Sequence, residues 1–254
     1  MITAVIPARG GSKGIPRKNM LMIGGSPLIF HSIYVASEAK SIDNVVVSSD
    51  DDEILEYAKS FGAITIRRSE ILSNDKATTE PVIRHAIDSI GLGIDDHVIL
   101  LQPTSPLRDA KMVDTFVNRY KIIVDTGQTV TDSPRGGRLI VSGIVNTALF
   151  TAHRERYYHW SGSMSDGYSI DGNDFRSPRM PKQRVGDNYR ENGSMYITSV
   201  WNWVFANRFG DNPYPMLIPP ICGIELDHTW QIPILDYIMT SYVYKKELEE
   251  WKYL

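Results

Sequence analysis

Residues 1–19, MITAVIPARGGSKGIPRKN, set a short apolar run against a dense basic loop. A run as short as Ile2 to Ile6, closed by Pro7, reads as a buried strand followed by a loop. The twelve residues after it, ARGGSKGIPRKN, hold three glycines, two arginines and two lysines. Glycines at 10, 11 and 14 let backbone N–H groups wrap an anion without a Cβ in the way, and Arg9, Lys13, Arg17 and Lys18 supply charge suited to a triphosphate. No Gly-Lys-Ser/Thr closes the loop as in a Walker A motif, and no Gly-x-Gly-x-x-Gly makes it a dinucleotide fingerprint.

The pattern that surrounds this loop predicts an α/β fold. A helix starts at Pro27 behind a Ser26 cap, with Leu28, Ile29, Ile33, Tyr34 and Ala36 at helical spacing, and ends near Lys40. NVVVSS (44–49) reads as a parallel strand and DDDEILEYAKSFG (50–62) as a helix with an acidic first turn, in which Asp51 and Asp52 favour the positive end and Gly62 stops the chain. AITI, TTEPVIRHAIDSIG and HVILLQ continue the alternation, and a helix runs from about Asp109 to Tyr120. Strands alternating with helices of this length give a parallel sheet, and ligands of such sheets bind beyond the C-terminal strand ends. The loops to inspect are therefore PARGGSKGIPRKN, SSDDD, RRSEILSNDKATT and PTSPLR. From about Thr131 the chain turns to Gly, Ser, Asp and Arg with short apolar runs, an inserted lobe over 131–185 within a single 1–254 domain. GSMYITS returns as a strand of the main sheet, and Trp230 to Trp251 reads as helix with an early break at Pro233.

Composition excludes several classes. The chain has 254 residues, a formal net charge of -3 and 42% hydrophobic residues, so an anionic ligand must be met by local clusters of Arg and Lys, and nucleic acid is not expected as a partner. A single cysteine, Cys222, leaves no disulfide framework and no Cys cluster for zinc, and the six histidines show no ligand spacing. With no signal-like start and no run of about 18 apolar residues, a cytoplasmic protein away from membranes is expected.

VIPARGGSKGIPRKN, VVVSSDDDEI, RRSEILSNDKATT, LLQPTSPLR, RENGSMYI and IELD, in that order, resemble the acylneuraminate cytidylyltransferases, the CMP-sialic acid synthetases. The likeness spans residues 2 to about 130 and about 182 to 236. It implies a Rossmann-like nucleotidyltransferase fold, a three-layer sandwich with a mainly parallel sheet and a lobe for dimerisation and sugar specificity. It also implies a homodimer that uses Mg²⁺ to transfer CMP from CTP to the anomeric hydroxyl of a 2-keto-3-deoxy sugar acid, releasing pyrophosphate. By the resemblance Arg9, Gly10, Gly11, Ser12, Lys13 and Lys18 form the phosphate loop, with Arg9 and Lys13 catalytic. Asn19 and Arg68, with Thr78 or Thr79, face the nucleoside, and Arg68 as a donor suits the cytosine carbonyl. Gln102, whose amide donates and accepts, orients the acceptor near the reacting centre.

Glu225 and Asp227 are the expected metal ligands, since magnesium takes one or two carboxylates and fills its shell with water and phosphate oxygens. Their i, i+2 spacing would put both on one face of a strand. The family has Asp-x-Asp here, and this chain has Glu first. Counting back from Asn192 places Lys182-Gln183 where the family has its sugar-contacting Arg-Gln, with Arg184 beside it as a carboxylate partner. Asn192 and Gly193 either close the sugar side or make a tight turn into the strand. Two alternatives stay open: activation of another sugar acid, such as an eight-carbon one, against which the Gly-Gly opening argues, and a non-catalytic nucleotide-binding relative.

Overall fold

Strands apolar at successive positions cannot hide on one side of a sheet, so ITAVI, NVVV and HVILL call for cover on both faces. The computed structural model supplies it, describing residues 1–126, 128–132, 138–142, 147–155, 160–161, 168–169 and 188–241. The strands are β1 (Ile2–Pro7), β2 (Met22–Ile23), β3 (Ser26–Pro27), β4 (Asn44–Ser49), β5 (Ile64–Arg67), β6 (His97–Leu101), β7 (Gln128–Asp132), β8 (Arg138–Ser142), β9 (Thr147–Glu155), β10 (Trp160–Ser161), β11 (Tyr168–Ser169), β12 (Asn188–Ser199) and β13 (Asn212–Leu217). The helices are α1 (Leu28–Glu38), α2 (Asp52–Ser60), α3 (Thr79–Ile90), α4 (Ala110–Thr126), α5 (Val200–Phe205) and α6 (Ile232–Thr240).

Seven strands form the central sheet in the order β13-β9-β12-β6-β1-β4-β5. β6, β1, β4 and β5 run parallel, β12 lies antiparallel to β6 and β9, and β13 is parallel to β9. Alternate residues divide the core in two. Ala4, Ile6, Val47, Ile99, Leu101 and Ile197 pack with Leu28 and Ile33 of α1, Ile54 of α2 and Phe116 of α4. Val5, Val46, Val98, Leu100 and Tyr196 pack with Ile83 and Ile87 of α3 and Trp203 of α5. Period-two alternation thus sorts the strands' side chains between two helical layers, giving the expected mainly parallel three-layer α/β fold.

Local differences have local causes. Ser26 does not cap α1: its backbone pairs with Ile23 in the β2–β3 ladder, the N-cap is Pro27 without a side-chain bond, and the Leu28 N–H donates to Leu21 O at 2.9 Å. Asp51 does cap α2, accepting from the Ile54 N–H at 3.2 Å, and Gly62 leaves it at φ 79°. α4 continues to Thr126 because Phe116, Val117, Tyr120 and Ile123 carry the buried stripe past Tyr120. Pro233 does not break α6. It lies in the first turn, where its missing N–H would have had no helical acceptor. Thr147–Glu155, inside the span expected as a lobe, runs in the main sheet as β9. Most of 131–185 and the expected helix beyond residue 241 lie outside the described residues.

Candidate active site

Parallel strands bring their C-terminal ends to one edge, and four of the expected loops meet there. The loop after β1 docks on the start of α2: the Gly10 N–H donates to Asp50 Oδ1 at 3.0 Å. A Cβ on Gly10 would stand 2.7 Å from both Cβ and Oδ2 of Asp51, so this approach requires glycine. Buried Asn19 props the loop from beneath, its side-chain amide donating to Arg9 O at 2.9 Å. Arg9 and Lys13 converge on one carboxylate, Asp75, with Nη1–Oδ1 at 2.9 Å and Nζ–Oδ2 at 2.8 Å. The Lys13 hydrogen bond foremost, with Arg9 beside it, holds the Asp75 carboxyl below its usual pKa. Arg17 leaves this cluster for Glu53 on α2, so it is not part of the convergence. Arg68 is buried at the end of β5, with Nη2 3.9 Å from Asp50 Oδ1. Burial lowers its pKa while Asp50 opposes the shift, and its Nε is buried without a partner among the described residues. Gly11 faces open space, Ser12 is half-buried in the same loop, and Thr79 opens α3.

Next to this cradle lies a cavity of about 450 Å³ lined by Gln102, Thr104, Glu191, Asn192, Gly193, Tyr196, Glu225 and Asp227. Its geometry follows from strand direction. Met195 of β12 pairs with Leu101, the last residue of β6, so the residues before it overhang the strand end where Gln102 emerges. The β9–β12 register shifts between Glu191 and Tyr196, and Gly193 sits there at φ 69°, where a Cβ would collide with the Glu225 carboxylate. Beneath, buried Arg108 donates to Ser194 O at 2.5 Å, to Ser32 Oγ at 2.6 Å and to Gln102 O at 2.9 Å, fixing the backbone on both sides of the cavity. Buried Asn192 accepts from Thr151 Oγ1 at 2.7 Å and from the Ser194 N–H at 3.3 Å. It therefore builds the turn as well as lining the cavity.

Glu225 and Asp227 reach the cavity without a strand. Ile224–Asp227 belongs to no sheet; the Leu226 N–H donates to Thr104 O at 2.7 Å and its side chain is buried, leaving the flanking carboxylates in the cavity wall. Burial first, and the charge of Asp227 second, push Glu225 up to about 6. Two hard-oxygen ligands whose mutual repulsion a cation would relieve fit magnesium, which needs no more than one or two carboxylates. Among the described residues no group of three or more His, Cys, Asp or Glu could hold a metal. Lys18 joins the two halves, donating to Leu226 O at 2.8 Å and pairing with Asp227 Oδ1 at 3.2 Å.

The structure thus gathers Arg9, Gly10, Lys13, Asn19 and Arg68 in one cluster and Gln102, Asn192, Glu225 and Asp227 in the other. Lys182, Gln183 and Arg184 lie outside the described residues. Sequence reasoning missed Asp75, Glu191, Thr104 and Tyr196. Asp75 and Glu191 stand in motifs already of interest, SNDK and RENG, but only spatial neighbours reveal their roles. The Tyr196 hydroxyl donates to Glu191, and the Arg208 guanidinium lies 5.0 Å over the Tyr196 ring.

A family model described as "Cytidylyltransferase" matches residues 3–135. The N-acylneuraminate cytidylyltransferase of Escherichia coli O18:K1:H7 is 38% identical over 122 residues, 48% of this chain and 29% of that protein. The pseudaminic acid cytidylyltransferase of Campylobacter jejuni serotype O:2 is 46% identical over 119 residues, 46% of this chain and 51% of the relative. The matches therefore span about half the length of such curated relatives, or less. A CMP:2-keto-3-deoxy-manno-octonic acid synthetase solved with CTP shares the fold, with a TM-score of 0.60 at 17% identity, covering 94% of this chain and 98% of that one. Among the described residues no helix is long and apolar enough to cross a membrane.

Proposed function

Because the chain belongs to the cytidylyltransferase family, we propose that it transfers CMP from CTP to the anomeric hydroxyl of a nonulosonic acid of the sialic, legionaminic or pseudaminic type. In the reaction the anomeric oxygen forms a bond to the α-phosphorus, the bond from that phosphorus to the β-bridging oxygen breaks, the hydroxyl proton is lost to water, and pyrophosphate leaves. Charge gathers on phosphoryl oxygens and leaving group, so positioned cations do most of the work. Arg9 and Lys13 are the residues for that charge, and Asn19, Arg68 and Thr79 serve the nucleoside. Gln102 and Asn192 orient the acceptor, with Lys182, Gln183 or Arg184 for its carboxylate. Glu225 and Asp227 would hold magnesium, whose charge would offset that gathering on the phosphate oxygens. The homodimer and the cytoplasmic setting are carried over from the resemblance and from composition.

The observation that supports this reading best is the join at Lys18. It ties the basic loop to Asp227, so a nucleotide's phosphates in the loop would lie against the cavity that holds Gln102 and the two carboxylates. The test is pyrophosphate release from CTP and magnesium with a panel of nonulosonic and eight-carbon acids. Release with a nonulosonic acid is expected. CTP binding with no release for any acid would overturn the enzyme reading in favour of a nucleotide-binding relative.

A further inference from the structure

Arg9 and Lys13 are like charges that repel, yet they lie side by side because one carboxylate takes both: each oxygen of Asp75 accepts one cation, at 2.9 and 2.8 Å. A two-oxygen anion held in this way has the hydrogen-bonding pattern of a phosphate edge. We propose that Asp75 is the resident counter-anion of the phosphate cradle, keeping Arg9 and Lys13 converged and giving way to the nucleotide's phosphate on binding. This rests on the reading of the opening loop as that cradle.

Two observations and one electrostatic effect carry the exchange. The side chains of Lys13, Asp75 and Arg9 are 83%, 42% and 35% exposed, so water reaches both pairs and screens them. The turn that bears Asp75 is held by its neighbour instead: Asn74 Nδ2 donates to Ile71 O at 2.8 Å, Asn74 Oδ1 accepts from the Lys76 N–H at 2.8 Å, and Asn74 O accepts from the Ala77 N–H at 3.1 Å. Asp75 is therefore not needed to shape its own loop. Finally, a carboxylate beside a polyphosphate on the same cations repels it, so bound phosphate and the Asp75 bridge oppose each other.

The experiment is titration calorimetry of inorganic tripolyphosphate, without divalent cations, into the wild-type chain and the Asp75→Asn, Asp75→Glu and Arg9→Ala variants. Asp75→Asn is expected to bind roughly threefold to tenfold more tightly, the scale of replacing two exposed ion pairs. Asp75→Glu should stay near wild type, since it keeps the charge. Equal or weaker binding by Asp75→Asn, or tightening by Asp75→Glu as large as by Asn, would overturn the counter-anion role while the cradle stands, provided Arg9→Ala weakens binding. Tripolyphosphate binding that is absent, or indifferent to Arg9→Ala, overturns the cradle reading itself and the proposal with it.

Discussion

Gly193→Ala tests how the two cavity carboxylates are placed, because the substitution strikes backbone and site together. Gly193 sits at φ 69°, a left-handed conformation that costs an L-residue about 1–2 kcal/mol. The added Cβ would meet the Glu225 carboxylate, the mobile end of a side chain, which must leave its rotamer for about 0.5–1.5 kcal/mol. The expected loss is about 2 kcal/mol, or roughly 4–8 °C in Tm for a chain of this size. On the proposed reading, moving Glu225 should also raise the magnesium concentration needed for half-maximal turnover by about tenfold, the lower range for disturbing a metal site's surroundings. A double-mutant cycle with Glu225→Ala separates the two effects. With the carboxylate gone, Gly193→Ala should cost only its backbone share and should no longer change the magnesium dependence. If Gly193→Ala leaves both melting and magnesium dependence at wild-type values, or if the cycle shows no coupling, the account of Gly193 as the space for Glu225 is wrong.

Arg108→Met should be among the most damaging substitutions away from the substrates: it removes donors from Ser194 O, Ser32 Oγ and Gln102 O in a buried setting. Each acceptor left without its donor costs about 1–3 kcal/mol, so a loss of several kcal/mol is expected in urea unfolding. Asp51→Ala removes the cap on the Ile54 N–H and should cost about 1 kcal/mol in the same assay. His31 is held below its ordinary pKa of 6.5, chiefly by burial, and its Nε2 lies 2.8 Å from Ile23 O. The unfolded chain therefore binds more protons here, so stability is complete above about pH 6.5 and declines as pH falls toward the lowered value. Unfolding at pH 7.5 and 5.5 should show a smaller acid loss in His31→Gln than in wild type.

The fold was legible wherever hydrophobic period and chain stops agreed. NVVVSS followed by an acidic turn and Gly62 reads as strand, cap and helix because each residue acts on its immediate neighbours, and the structure keeps that order. Ser26 shows where local reading ends: a good cap residue was taken by a strand pairing. The site divides in the same way. The basic loop and the carboxylate pair were visible as compositions, whereas their geometry depends on contacts between distant segments. Leu226 fixes Glu225 and Asp227 through a bond to Thr104, and Met195 beside Leu101 brings Asn192 over Gln102. Asp75 looked like one more polar loop residue, since only the fold sets it between Arg9 and Lys13.

The central claim, that basic loop and carboxylate cavity act as one transfer site, is tested most directly by following label from α-³²P CTP into a CMP–sugar acid product. Wild type with magnesium and a nonulosonic acid should form labelled product, and Asp227→Asn and Lys13→Ala should each lose most of it while still folded. Label transferred at wild-type rate by either variant, or by none of the proteins with any acid, would contradict the account.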